Sequence, residues 1–124
     1  MSAAHPAFAA TTATAVTINT PTLVMGETTT ATATVTDTSG TPATPTGTVT
    51  WSDGGTSGTY NSPCTLSPLS ASSSSCSITY GPGGAFSSVT LTASYSGDAA
   101  HSTSTDSALI TVNKRATATS VSPN

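Results

Sequence analysis

The chain has 124 residues, enough for one domain, and only 6% of them are charged, against the usual quarter. Its net charge of −3 sets five acids against Lys114 and Arg115. That leaves no basic footprint for nucleic acid or an anionic membrane surface, and no apolar run has the length to span a bilayer.

Ser and Thr fill roughly 40% of the chain. The threonines recur at every second position, where branching at Cβ favours extended backbone, so the composition reads as ordered β-structure rather than disorder. Residues 1–11 are Ala-rich and polar and are expected to be loose. Met1 to Ala10 has neither a positive n-region nor an apolar core, so it reads as no intact signal peptide, although Ala7-Phe8-Ala9 has the small-x-small pattern of a cleavage site.

The first strand covers Ala13 to Ile18, breaks near Pro21 and resumes over Thr22 to Met25. A proline there suits a strand that changes sheets. Gly26-Glu27 turns the chain into Thr28 to Asp37, with Ala31, Ala33 and Val35 on one face. A loop with two prolines leads to Gly47 to Ser52, where Val49 and Trp51 share a face. Asp53-Gly54-Gly55 is a turn signature, followed by a short strand near Gly58 to Tyr60. Ser77 to Tyr80 is broken by Gly81-Pro82-Gly83-Gly84. Ser88 to Ser96 sets Val89, Leu91, Ala93 and Tyr95 together and ends at Gly97-Asp98. The last strand places Ala108, Ile110 and Val112 on one face.

This spacing predicts an all-β fold, a β-sandwich of seven to eight antiparallel strands with Greek-key connections and no helix. Its expected core is Val16, Ile18, Ala33, Val35, Val49, Trp51, Ile78, Leu91, Ala93, Tyr95, Ile110 and Val112. Cys64 and Cys76 are the only cysteines. With no His or Cys cluster nearby, they read as a disulfide rather than a metal site, and hence as the mark of an oxidising compartment; two buried free thiols are the alternative. Lying between the predicted third and sixth strands, the link is expected to clamp a local excursion and not to join the sheets.

Pro45-Thr46-Gly47-Thr48-Val49-Thr50-Trp51, Asp53-Gly54-Gly55, Leu91-Thr92-Ala93-Ser94-Tyr95-Ser96-Gly97-Asp98 and Ile110-Thr111-Val112 follow one another in order. Together they resemble the repeat of bacterial immunoglobulin-like domains in extracellular and cell-surface proteins, from about residue 12 onward. The resemblance implies an immunoglobulin-like sandwich over 12–113 and no shared catalytic residues. Thr117-Ala118-Thr119-Ser120-Val121 echoes Thr12-Ala13-Thr14-Ala15-Val16, so 114–124 reads as the start of a following repeat, with neighbouring copies of the same domain as partners.

In that topology Asp37, Asp98 and Asp106 fall at one pole with His101 and no basic residue. They read either as ligands for calcium, although short of the usual six to eight, or as solvated turn residues. No other cofactor is expected. Glu27 and Asp53 fall at the opposite pole with Lys114 and Arg115. Nucleophilic catalysis needs an oriented base, and only His5, in the leader, and His101 are available, so the chain is not expected to be an enzyme. Self-crosslinking is not expected either, since Lys114 sits at the rim and there is no Gln. The Thr-x-Thr stretches are too few and too separated for an ice-binding face.

Three functional expectations follow. The first is a structural spacer domain of an extracellular, secreted or surface-anchored repeat protein. The second is an adhesion or carbohydrate-binding module for a surface glycan or protein ligand; Tyr60 and Phe86 are the only aromatics expected near loops, which weighs against sugar stacking. The third is a subunit of an extracellular fibre assembled by strand exchange.

Overall fold

Thr29–Asp37 shows how the alternation builds the fold. In this strand Thr29, Ala31, Ala33, Val35 and Asp37 are buried, while the intervening threonines are half-buried or exposed. A period of two places one residue set against the core and the other towards water. The computed structural model describes residues 9–84 and 88–114. Over these it holds nine strands: β1 (Thr12–Ile18), β2 (Thr22–Val24), β3 (Thr29–Asp37), β4 (Thr48–Ser52), β5 (Cys64–Thr65), β6 (Ser67–Pro68), β7 (Ser73–Tyr80), β8 (Ser88–Tyr95) and β9 (Ser104–Asn113).

The strands form two sheets, ordered β1-β3-β7-β6 and β2-β9-β8-β4-β5. The register sets Ala33 opposite Cys76, Ala31 opposite Ile78 and Trp51 opposite Ala93. The core between the sheets holds Val35, Val49, Trp51, Ile78, Tyr80, Leu91, Tyr95, Ile110 and Val112, all buried. Small Ala31, Ala33 and Ala93 leave room for the aromatic rings. Val16 and Ile18 pack against this core only partly buried, because β1 is an edge strand, whereas Leu23, Leu66 and Val89 are buried.

The break at Pro21 does move the chain from one sheet to the other, with β1 in the first and β2 in the second. β2 pairs with β9 in parallel, Leu23 beside Val112, which departs from the all-antiparallel expectation. The reason is directional: β1, β2 and β9 all run away from the pole that carries His101. Two further differences concern short elements. The strand expected near Gly58 to Tyr60 is a single bridge, Thr59 with Gly81. β5 and β6 are two-residue ladders that no alternation can announce.

Ala10, expected in the loose leader, is fastened to the loop before β9. Its N–H donates to Ala100 O at 2.8 Å and its carbonyl accepts Ser102 N–H at 2.9 Å. His5, Phe86, Arg115 and the 117–121 echo lie outside the described residues.

Candidate functional site

The pole where the chain comes in is organised around His101. β3 ends on Asp37, and the loop after β8 turns on Asp98, three residues before the histidine. His101 Nε2 lies 2.9 Å from Asp37 Oδ2, and Nδ1 lies 2.8 Å from Asp98 Oδ1. The His101 side chain is only 2% exposed, so the ring meets these carboxylates and little water. An ionised carboxylate only accepts, so two carboxylates facing the two ring nitrogens favour the imidazolium, which carries a hydrogen on each. Nε2 also faces Ala43 O at 3.2 Å.

The two carboxylates hold the loops as well as the ring. Asp37 accepts the N–H groups of Ser39 and Ala43 at 2.8 and 2.9 Å. Asp98 accepts the N–H groups of Ala100 and Thr46, the Thr46 hydroxyl and, at 3.3 Å, the Tyr95 hydroxyl. Tyr95 OH also donates to Thr46 O at 2.6 Å. Gly47 allows this close approach: it has φ of 111°, and a Cβ there would meet Ser96 Oγ at 2.8 Å.

These contacts set the charges. The Ser39 side chain and the Ala43 and Ser39 N–H groups hold the Asp37 carboxyl far below its ordinary range. The Ser39 hydroxyl faces the carboxylate closely enough to favour its charged form, though it makes no hydrogen bond of standard geometry. At Asp98 burial opposes ionisation, but the Thr46 N–H, His101 and the Ala100 N–H outweigh it, so this carboxyl is also held low. At His101 burial again opposes the charge and the two aspartates overcome it, raising its pKa above the ordinary value. Both ring nitrogens thus face carboxylates. The cluster ties the β3–β4 loop, the β8–β9 loop and the incoming strand together.

Of the three aspartates grouped for calcium, the structure brings Asp37 and Asp98 together and leaves Asp106 elsewhere. Asp106 lies inside β9 and accepts the Val16 N–H of β1 at 2.8 Å. Among the described residues no group of three His, Cys, Asp or Glu side chains is arranged to hold a metal ion. Glu27 and Asp53 likewise serve the backbone. Glu27 accepts Val24 N–H at 2.7 Å. Asp53 is buried and accepts the N–H groups of Gly55 and Gly58 and the Tyr80 hydroxyl. All five Asp and Glu side chains therefore accept a backbone N–H.

The Cys64–Cys76 disulfide is present, and its placement corrects the expectation of a local clamp. Cys64 is on β5 of one sheet and Cys76 on β7 of the other, so the bond joins the two sheets with a Cα–Cα distance of 5.9 Å. The expectation failed because it did not assign the two-residue β5 to a sheet. Trp51 on β4 donates its indole N–H to Cys64 Sγ at 3.1 Å, so the largest core side chain is seated on the cross-link.

Sequence reasoning placed His101 at the correct pole but gave it no partner. The available signal was its position three residues after Asp98 in a turn, at the pole where β3 delivers Asp37. No family model matches the chain, and no curated protein and no solved structure matches it. Among the described residues no helix is long and apolar enough to cross a membrane, which says nothing of a β-barrel.

Proposed function

We propose that this chain is a non-catalytic structural domain, an immunoglobulin-like Greek-key sandwich that acts as a spacer in an extracellular or cell-surface repeat protein. The strand orders support the fold type. β1-β3-β7-β6 corresponds to the A-B-E-D sheet of an immunoglobulin sandwich, and β9-β8-β4 to its G-F-C sheet. The disulfide supports an oxidising compartment.

The observation that carries the spacer reading is the path of the chain. Thr12 comes in beside Asp37 and His101, and β9 leaves at the far end, where Asn113 pairs with Val24. A domain that receives the chain at one pole and releases it at the other extends a string of copies end to end. Ten residues of β9 at about 3.4 Å each give ~34 Å of length per domain. The uncharged Ser/Thr outer faces suit a segment that is held in solvent and does not stick. Partners would be neighbouring copies of the same domain, and the reading needs no cofactor.

Strand-exchange assembly is less favoured by the edges. Asp106 occupies the outward Val16 N–H of β1, and Glu27 occupies that of Val24 on β2, which opposes pairing with an incoming strand at those positions. The spacer reading is tested by small-angle scattering from tandem chains of two and four copies. The maximum dimension should rise by about 30–35 Å per copy. A dimension that stays constant as copies are added rejects the reading.

A further inference from the structure

A groove of about 230 Å³ opens at the pole opposite His101, lined by Thr28, Thr59, Tyr60, Asn61, Thr79 and Gly81. It is firmly backed. Thr59 N–H donates to Gly81 O at 2.7 Å, and Gly81 N–H returns to Thr59 O at 2.9 Å. Behind Tyr60 stands the buried Tyr80 ring, with centroids 5.7 Å apart and planes tilted by 41°. Tyr80 is anchored in turn by its hydroxyl on Asp53 at 3.1 Å. Gly58 presses on the Tyr80 ring so closely that no Cβ fits there. The Tyr60 ring therefore sits on a rigid support, and it stays half-exposed.

The chemistry of the lining is specific. Among the described residues no charged side chain lines the groove. The nearest acid, Asp53, is buried and already holds two backbone N–H groups and the Tyr80 hydroxyl. What remains is one aromatic ring flanked by an amide and three threonine hydroxyls. Among the described residues these polar side chains make no hydrogen bond to one another or to the backbone, so they can meet a ligand. An aromatic surface beside a few convergent neutral hydrogen-bonding groups matches a ligand with one apolar C–H face and a rim of hydroxyls.

We propose that this groove binds a neutral saccharide, one sugar ring lying on Tyr60 with its hydroxyls on Asn61 and the flanking threonines. The site adds a glycan contact to the spacer and does not depend on it, since the groove belongs to a single copy. An anionic sugar finds no cation among the described lining residues, and a bare apolar ligand leaves the amide and hydroxyls without partners.

The test is saturation-transfer NMR on the full, oxidised chain. The probes are the methyl glycosides of glucose, galactose, mannose and N-acetylglucosamine, with sialic acid as anionic control and a proline-rich peptide as competitor. Saturation should reach the ring protons of at least one neutral glycoside. Tyr60→Ala should weaken its binding about tenfold and Asn61→Ala about threefold, while Tyr60→Phe stays within about twofold of the parent. Trp51 emission and the β-sheet circular dichroism of each variant establish that it is folded. Absence of transfer to every neutral glycoside overturns the proposal. So does transfer unchanged in folded Tyr60→Ala, a preference for sialic acid, or occupancy of the groove by the peptide in place of sugar.

Discussion

The Asp106 carboxylate on β9 accepts the Val16 N–H on β1 at 2.8 Å, across the seam where the two sheets meet. The seam continues towards the His101 pole. Thr12 Oγ1 donates to Ser104 Oγ at 2.8 Å, and the Thr14 and Ser104 hydroxyls lie 2.6 Å apart. An edge strand normally offers unpaired N–H groups to other chains; here Asp106 of the opposite sheet takes the one on Val16.

Asp106→Ala should cost about 1–3 kcal/mol, because it strips a part-buried N–H of its acceptor. It should also introduce concentration-dependent association through β1. Urea unfolding and analytical ultracentrifugation read the two effects. A variant as stable as the parent and monomeric at every concentration would show that the seam bond does neither job.

The pH profile follows from the His101 cluster. A raised imidazole pKa contributes stability that is fully present below the unfolded value of about 6.5 and fades as pH climbs through the folded value above it. Depressed Asp37 and Asp98 contribute stability present above the unfolded carboxyl range and lost as pH drops below it. Thermal melting should therefore show a plateau from about pH 5 to 6.5, with decline on both sides. His101→Gln should remove the alkaline decline. An NMR titration placing the folded His101 below 6.5 would contradict the imidazolium assignment.

Cross-linking β5 to β7 has a readout in the single tryptophan of the chain. Replacing Cys64 and Cys76 together by Ala should lower stability by about 3 kcal/mol and leave the Trp51 indole N–H without its sulfur partner. Urea titration followed by Trp51 emission measures both. Coincident midpoints for the oxidised parent and the double variant would mean that the bond adds nothing to the sandwich.

Tyr95→Phe removes a buried hydroxyl that donates to Thr46 O at 2.6 Å. About 1–2 kcal/mol of stability should go with it. Burial, together with the neighbouring Asp98 charge, raises the Tyr95 phenol to about 12. Ultraviolet titration of the folded chain should therefore lose one late-ionising tyrosine in this variant. An unaltered titration would place that phenol elsewhere.

Much of the fold was legible because its cause is local. Ala33, Val35, Val49, Trp51, Leu91, Ala93, Tyr95, Ile110 and Val112 are inside, as their alternation announces. Pro21 marks a change of sheet because proline withholds a ladder N–H. The site was legible only in part. Gly97-Asp98 was readable as a turn, and the common pole of Asp37, Asp98 and His101 followed from alternating strand direction. Tyr60 was readable as a loop aromatic, but nothing in its neighbours announced the supporting Tyr80 ring.

By itself the amino-acid order determined that the backbone is extended, which side of each long strand is dry, and where the chain turns, since these depend on neighbours two to four positions away. Only the tertiary structure decided that Asp37 and Asp98 close on one imidazole, that Asp106 serves Val16, and that the cysteines tie one sheet to the other. Val16 and Asp106 are 90 positions apart and Asp37 and His101 are 64 apart, and Cys64 and Cys76, though only 12 apart, lie on different sheets. Such partners meet only once strand order and register are set, and those are properties of how the sheets pack and not of any one segment.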